Sequence, residues 1–285
     1  MRIKNDRYLG FLSNSIIQLV CIIWALGQVF PLFWLFYSTF KTSSEIRNNI
    51  LAFPTHLYLQ NYNIKLIASG KDIRIDLYLT NSIIITIVSL ILLTAIALFA
   101  GYAIAKLEVP GKNIIIMLLI TLLGVPMHSV VIPLYYFISK MNLLNNYFGL
   151  ILPYVGFNLP FSILLLQTFF RQFPDELIDA AKIDGCSNSR TFLSIVLPIS
   201  RGGISAVLII NFIGIWNEFL LALVIMKANH ARTLPVGLMA FKEQYYTDWG
   251  RLYAALMIAI IPPIIFYFVF HRNILKGLTS GAIKG

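Results

Sequence analysis

Charge is scarce in this chain: Asp, Glu, Lys and Arg make up only 12% of its 285 residues, against about 25% in soluble globular domains. The length alone would suit one or two soluble domains, and the scarcity of charge argues against them. Cysteine is scarcer still. Cys21 sits in an apolar run and Cys186 in a polar one, too few and too differently placed for a disulfide framework. Metal-ligand spacing is missing, because His56, His128, His230 and His271 have no His or Cys at i+3 or i+4. A P-loop is missing too: Gly70-Lys71 is followed by Asp72 and lacks the earlier Gly. The expectation is a chain with no catalytic residue, no metal and no cofactor of its own. A secretory leader is not expected either. The run Ile16 to Tyr37 exceeds an h-region, and no Ala-x-Ala-like cleavage site follows.

What the chain has is apolar length. It is 58% hydrophobic, with six long apolar stretches near 13–38, 79–105, 113–138, 148–170, 203–226 and 251–271. A span needs about 20 predominantly apolar residues. In lipid such a span must be helical, because no water is present to satisfy backbone N–H and C=O groups. The expected fold class is therefore an all-α membrane protein with about six transmembrane helices. The net charge of +10 fits Lys and Arg at helix ends, facing lipid headgroups. No basic cluster with interleaved aromatics points to nucleic acid. Charge orients the chain weakly. With both termini inside, 12 of the 22 Lys and Arg lie inside and ten outside.

Proline interrupts several spans: Pro126 and Pro133 the third, Pro153 and Pro160 the fourth, Pro262-Pro263 the sixth. Either bent pathway helices or ordinary kinked packing would explain these breaks. In the second span, Ala97, Gly101 and Ala105 share one helical face, a close-packing surface for a helix of this chain or of another. Glu218 is the one acidic residue deep in an expected span, and such a charge faces a cavity or a partner. Asn211, Asn217 and Glu218 are the substrate-pathway candidates, with helix–helix hydrogen bonding as the other reading.

One island, 171–202, is polar. Pro174 suits a first helical turn, Asp175 and Glu176 suit the positive end of its dipole, and Gly185 suits a left-handed cap. A helix of about 11 residues follows from these signals. So short a helix is marginal alone in water and needs something to dock against, either the membrane surface or a partner. Ser187, Asn188 or Ser189 can cap a second short helix, which Pro198 is expected to end.

Asp179-Ala180-Ala181, three residues, Gly185, nine residues, then Ile195-x-Leu197-Pro198 resembles the EAA loop of ABC importer permeases, E-A-A-x3-G-x9-I-x-L-P. Asp179 replaces the Glu, Cys186 a common Ala, and Arg201-Gly202 a common Pro. The segments Ser38-Thr-Phe-Lys41, Trp216-Asn-Glu-Phe-Leu220, Thr233-Leu-Pro-Val-Gly237 and the end Gly277-Leu-Thr-Ser-Gly-Ala-Ile-Lys-Gly285 resemble the shorter, second permease of maltose-type carbohydrate importers. Roughly residues 35–285 are covered.

The resemblance implies a single permease domain over 1–285, with a core at about 75–272, a cytoplasmic coupling loop at 171–202 and a cytoplasmic tail at 273–285. It implies that Glu176, Asp179, Ala180, Ala181, Asp184 and Gly185 contact an ATPase, and that tail residues Thr279, Gly281 and Lys284 do too. The implied partners are a homologous permease, two ATPase subunits that hold ATP and Mg, an extracellular or periplasmic sugar-binding protein, the carbohydrate and membrane lipid. Both termini are then cytoplasmic, in a bacterial cell membrane. A polyol or sugar phosphate importer is the near alternative. An ion-coupled secondary transporter is the far one, and it would usually show repeats, of which none is found.

Overall fold

A computed structural model describes residues 2–63, 65–68, 71–241 and 247–282, with side chains for 15–63, 73–241 and 247–272. The chain divides into two units: Met1–Ile64 with Ala240–Ile258, and Lys65–Met239 with Ala259–Gly285.

In the first unit, α1 (Arg2–Ser38) carries an apolar span, Ser15–Ser38, exposed from Ser15 to Phe33 and buried only near its end, at Leu35, Tyr37 and Ser38. Its exposed Ile, Leu, Val and Phe side chains suit lipid, where apolar exposure carries no penalty. The connection after α1 folds tightly. Thr42 and Glu45 form a reciprocal capping box for α2 (Ser43–Asn48). Beyond it lies a 3₁₀ turn, Leu59–Tyr62. Lys41, 1% exposed, sends its ammonium to three carbonyls, Asn49 O at 2.8 Å, Ala52 O at 2.8 Å and Ile50 O at 3.3 Å. An unpaired cation at that depth would be costly, and the carbonyls replace its water.

The second unit opens with an antiparallel hairpin, β1 (Lys65–Ala68) against β2 (Lys71–Arg74), with Lys65 opposite Arg74 and Ala68 opposite Lys71. α3 (Ile75–Lys106) follows and packs along α6 (Phe148–Arg171). The small-residue face settles its partner here. A Cβ on Gly101 would meet Leu166 Cβ at 3.1 Å and Ile163 O at 3.2 Å, so Ala97 and Gly101 bring the two backbones of this chain together. α4 (Lys112–Leu123) and α5 (Val131–Lys140), joined by a 3₁₀ turn at Met127–Val130, bend by 83° at Pro126.

Proline and bending part company elsewhere. α6 runs unbroken through Pro153 and Pro160, and α13 (Trp249–Ala282) through Pro262-Pro263. Around Pro160, side-chain donors return to the backbone: Asn158 Nδ2 donates to Tyr154 O at 2.7 Å and Ser162 Oγ to Asn158 O at 2.9 Å.

The polar island folds as α7 (Asp175–Ile183), α8 (Asn188–Thr191), a π turn at Phe192–Val196 and α9 (Leu197–Ile199). Pro198 does not end the second helix. The wider π turn, with Leu197 N reaching Phe192 O, accommodates the missing N–H, and the chain bends 74° only at Ser200, into α10 (Arg201–Trp216). The fifth apolar stretch, expected to be continuous, is broken instead. α10 stops at Trp216, and α11 (Leu220–Ile225) restarts after three residues. α12 (Leu234–Leu238) follows. Among the described residues, four helices are long and apolar enough to cross a membrane, or up to six if each bent pair is one span.

Candidate functional site

Two polar regions stand out in the second unit. The first is the α7 loop. Asp175 and Glu176 occupy the first turn of α7 and Lys182 the last, each favourable for the helix dipole. Gly185 closes the helix at φ +78°, a conformation that costs a side-chain-bearing residue energy. Ser187 Oγ accepts from Arg190 N and caps α8.

One side of α7 is anchored. Ile178, 7% exposed, joins a buried cluster with Tyr102, Phe170, Phe192 and Val196, and Ala181 is 4% exposed. Burying Ile178 contributes about 2 kcal/mol. The rings interlock, with Tyr102 4.7 Å from Phe192 and 5.9 Å, edge-on, from Phe170. Lys106, at the end of α3, adds a polar clamp. Its side chain is 6% exposed, and Nζ reaches Phe173 O and Asp175 Oδ1, each at 2.6 Å. From sequence, a lysine closing an apolar run reads as a headgroup anchor, so this role was not foreseen.

The opposite side of α7 is open. Glu176, Asp179, Ala180, Asp184 and Gly185 are all exposed, and Ile183 is 86% exposed in their midst. Ala181, of the same expected set, is buried on the anchored side. Asp179 is held only by an exposed pair to Lys182 at 3.2 Å. The exposed part of α7 therefore offers carboxylates around the small side chain of Ala180, with two exposed aliphatic side chains, Ile183 and, less so, Leu177.

The second region is the break after α10. Glu218 substitutes for the missing helical turn: Oε1 accepts from Leu221 N at 2.7 Å and Oε2 from Ala222 N at 3.1 Å, capping α11. Tyr154 OH donates to Oε2 at 2.6 Å. From Tyr154 a ladder runs along α6 through Asn158 and Ser162, whose Oγ accepts from Asn211 Nδ2 at 3.0 Å; Asn211 also donates to Val207 O at 2.8 Å. Asn211 is 2% exposed, so its amide is committed to the α6–α10 contact. Asn217 is exposed and returns its amide to Ile213 O at 3.0 Å. Trp216 turns away, donating to Ala259 O at 3.1 Å. Of the three pathway candidates, Asn217 and Glu218 stand together at the break and Asn211 lies inside the helix contact. Tyr154, Asn158 and Ser162 were not foreseen. Their signal was a polar residue every fourth position in an apolar run.

The expected tail is not separate from the last helix. α13 continues to Ala282, so Thr279 and Gly281 lie on helical backbone, and Lys284 lies outside the described residues. Among the described residues no group of three His, Cys, Asp or Glu could hold a metal.

These features define a multi-pass helical membrane protein that carries a helix anchored on one side and exposed on the other within a polar loop. The chain belongs to the family of binding-protein-dependent transport system inner membrane components, whose model matches residues 95–280. It is 32% identical over 283 residues to the diacetylchitobiose uptake system permease protein NgcG of Streptomyces coelicolor, covering 99% of this chain and 91% of that one. It is 34% identical over 277 residues to the trehalose/maltose transport system permease protein MalG of Thermococcus litoralis, covering 96% and 98%. A crystal structure of a bacterial ABC transporter that imports the acidic polysaccharide alginate shares the fold, with a TM-score of 0.76 at 19% identity over 94% of this chain and 97% of the other.

Proposed function

We propose that this chain is the shorter permease subunit of an ATP-driven sugar importer in a bacterial cell membrane. The outer face of α7 seats in a cytoplasmic ATPase, one of two that hold ATP and Mg. A homologous permease completes the pathway, and a sugar-binding protein delivers cargo from outside. On this reading 171–202 and both termini are cytoplasmic, while 39–78 and 227–250 face outward. Glu218 and Asn217 lie along the sugar path, with Asn211 holding the helices that form it. The C-terminal end, through Thr279, Gly281 and Lys284, reaches the ATPases.

The observation that carries the reading is the asymmetry of α7, anchored on one side and open on the other. ATP-driven closure of the ATPases acts on it as a lever, and Lys106 passes the movement to α3. Differential binding of the two states by the ATPases supplies the driving energy. The family description and the sugar systems to which the relatives belong support the cargo class. A polyol or sugar phosphate cargo would use the same machinery. An ion-coupled carrier is disfavoured by Glu218, whose two oxygens are already occupied by Tyr154 and the α11 backbone.

The test is uptake in cells carrying Asp179→Lys and Gly185→Asp together. Expected is a loss of at least ten-fold in ATP-dependent uptake with normal membrane insertion. Undiminished uptake would refute the coupling role, and uptake that follows an ion gradient without ATP would favour the carrier.

A further inference from the structure

The third apolar run, 113–139, contains no Asp, Glu, Lys or Arg, and its one histidine is His128. That residue sits where the run breaks, in the 3₁₀ turn Met127–Val130 between α4 and α5, which bend by 83°. Lysines mark both ends of the broken span. Lys112 opens α4, and Lys140 closes α5 with Nζ 4.7 Å from the Tyr136 ring, a pairing that suits the membrane–water interface. The 12 residues of α4 measure about 18 Å, over half of a hydrocarbon core of about 30 Å. The bend therefore falls within the core, away from either headgroup layer.

Two features of the bend are costly against lipid tails. The first is backbone. A helix end leaves as many as four carbonyls without helical partners, and Pro126 has no N–H to give them. Gly124 N and Val125 N tighten onto Thr121 O and Leu122 O, each at 3.1 Å, and there α4 stops. Gly124, Val125 and Pro126 are all exposed. Irregular backbone at this depth is tolerated only where protein covers it or water reaches it. The second feature is the imidazole. His128 and Ser129 are exposed too, and an ionisable side chain inside a span faces a cavity or a partner. Backbone and side chain thus point, independently, to a surface that does not meet lipid.

The chemistry favours a cavity that carries hydroxyls. A neutral imidazole donates at one nitrogen and accepts at the other, and the helix-end carbonyls accept. Val125 and Met127 beside them are apolar. A sugar presents the matching mixture, hydroxyls that donate and accept next to C–H faces. An apolar helix of a second permease would leave both the imidazole and the carbonyls without partners, at a cost.

We infer that the α4–α5 bend lines the water-filled sugar path and that His128 hydrogen-bonds the hydroxyls of the passing sugar. The inference rests on the proposed importer function, which supplies the path and its cargo. It adds to Asn217 and Glu218 a contact from a different span.

The experiment uses the whole transporter with Cys21→Ala and Cys186→Ser, into which His128→Cys is introduced. The thiol is offered a reagent confined to water, 2-sulfonatoethyl methanethiosulfonate, or a lipid-soluble pyrenyl maleimide. Expected is labelling by the water-confined reagent, at a rate that changes at least five-fold between the ATP-free and vanadate-trapped complexes. Uptake of a panel of radiolabelled mono-, di- and oligosaccharides is measured in parallel. The sugar that the wild-type transporter carries should slow the labelling. His128→Leu should raise the KM for that sugar about ten-fold at an unchanged melting temperature, and His128→Gln, which keeps a donor and an acceptor, should stay within about three-fold of wild type. Labelling by the maleimide alone, or by neither reagent, overturns the inference while sugar uptake by the wild type leaves the importer reading standing. Wild-type uptake by His128→Leu also overturns it, since the bend would then be wet without touching the sugar. A wild-type transporter that carries no sugar of the panel would count against both readings.

Discussion

The α7 loop and the break after α10 are both polar interruptions of an apolar chain, and they spend their polar groups in opposite ways. At the break, Glu218, Tyr154, Asn158, Ser162 and Asn211 are linked to one another or to the backbone. At α7, Glu176, Asp179 and Asp184 point outward, and the helix is held from behind by Ile178, Ala181 and Lys106. The contrast separates polar groups that hold a fold from those available to a partner. Substitutions in the first region should act on stability, and those in the second on assembly.

The largest expected effect is Glu218→Ala. It strips a partner from Tyr154 and from two N–H groups of α11, each loss costing about 1–3 kcal/mol, and should lower the melting temperature of the detergent-solubilised protein sharply. Next is Lys106→Met, which sits on the line between the two classes. Removing the ammonium leaves Phe173 O without its partner, a cost of about 1–3 kcal/mol, and frees α7 from α3. Uptake should fall more than stability, and Lys106→Arg should restore part of both. Tyr154→Phe follows, with a loss of about 1–2 kcal/mol in stability and ATPase binding intact. Loss of ATPase binding on Tyr154→Phe would break the contrast. The smallest effect on stability is expected from Ile183→Ala: at 86% exposed it should change stability by less than about 0.5 kcal/mol while weakening recovery of the ATPase.

How far the sequence foretold this arrangement can be judged residue by residue. Long apolar runs located the spans, because spanning lipid demands length and little charge. The Gly185 cap was legible, since a left-handed turn after a helix favours glycine, whereas Ser187 was one of three candidates, with Asn188 and Ser189, for the cap that it forms. Proline misled. Pro126 bends its helix, but Pro153, Pro160, Pro262 and Pro263 do not interrupt theirs, because what proline does depends on whether neighbours satisfy the freed groups. The break at 217–219 has no Pro or Gly to announce it. Its signal was the polar pair Asn217-Glu218 inside the apolar run, outweighed by the hydropathy around it. The Lys106 clamp is a contact across 67 to 69 residues, and no local pattern could encode it.

The most direct test of the central claim, that the outer face of α7 is a protein-docking surface, is the ratio of ATPase to permease recovered on purification. Tagged Asp179→Lys/Ile183→Glu protein is purified from its own membranes, and peptides from P-loop subunits are quantified per permease by mass spectrometry. The account expects the ratio to fall at least ten-fold while the melting temperature stays at the wild-type value. A wild-type ratio in that variant would contradict it.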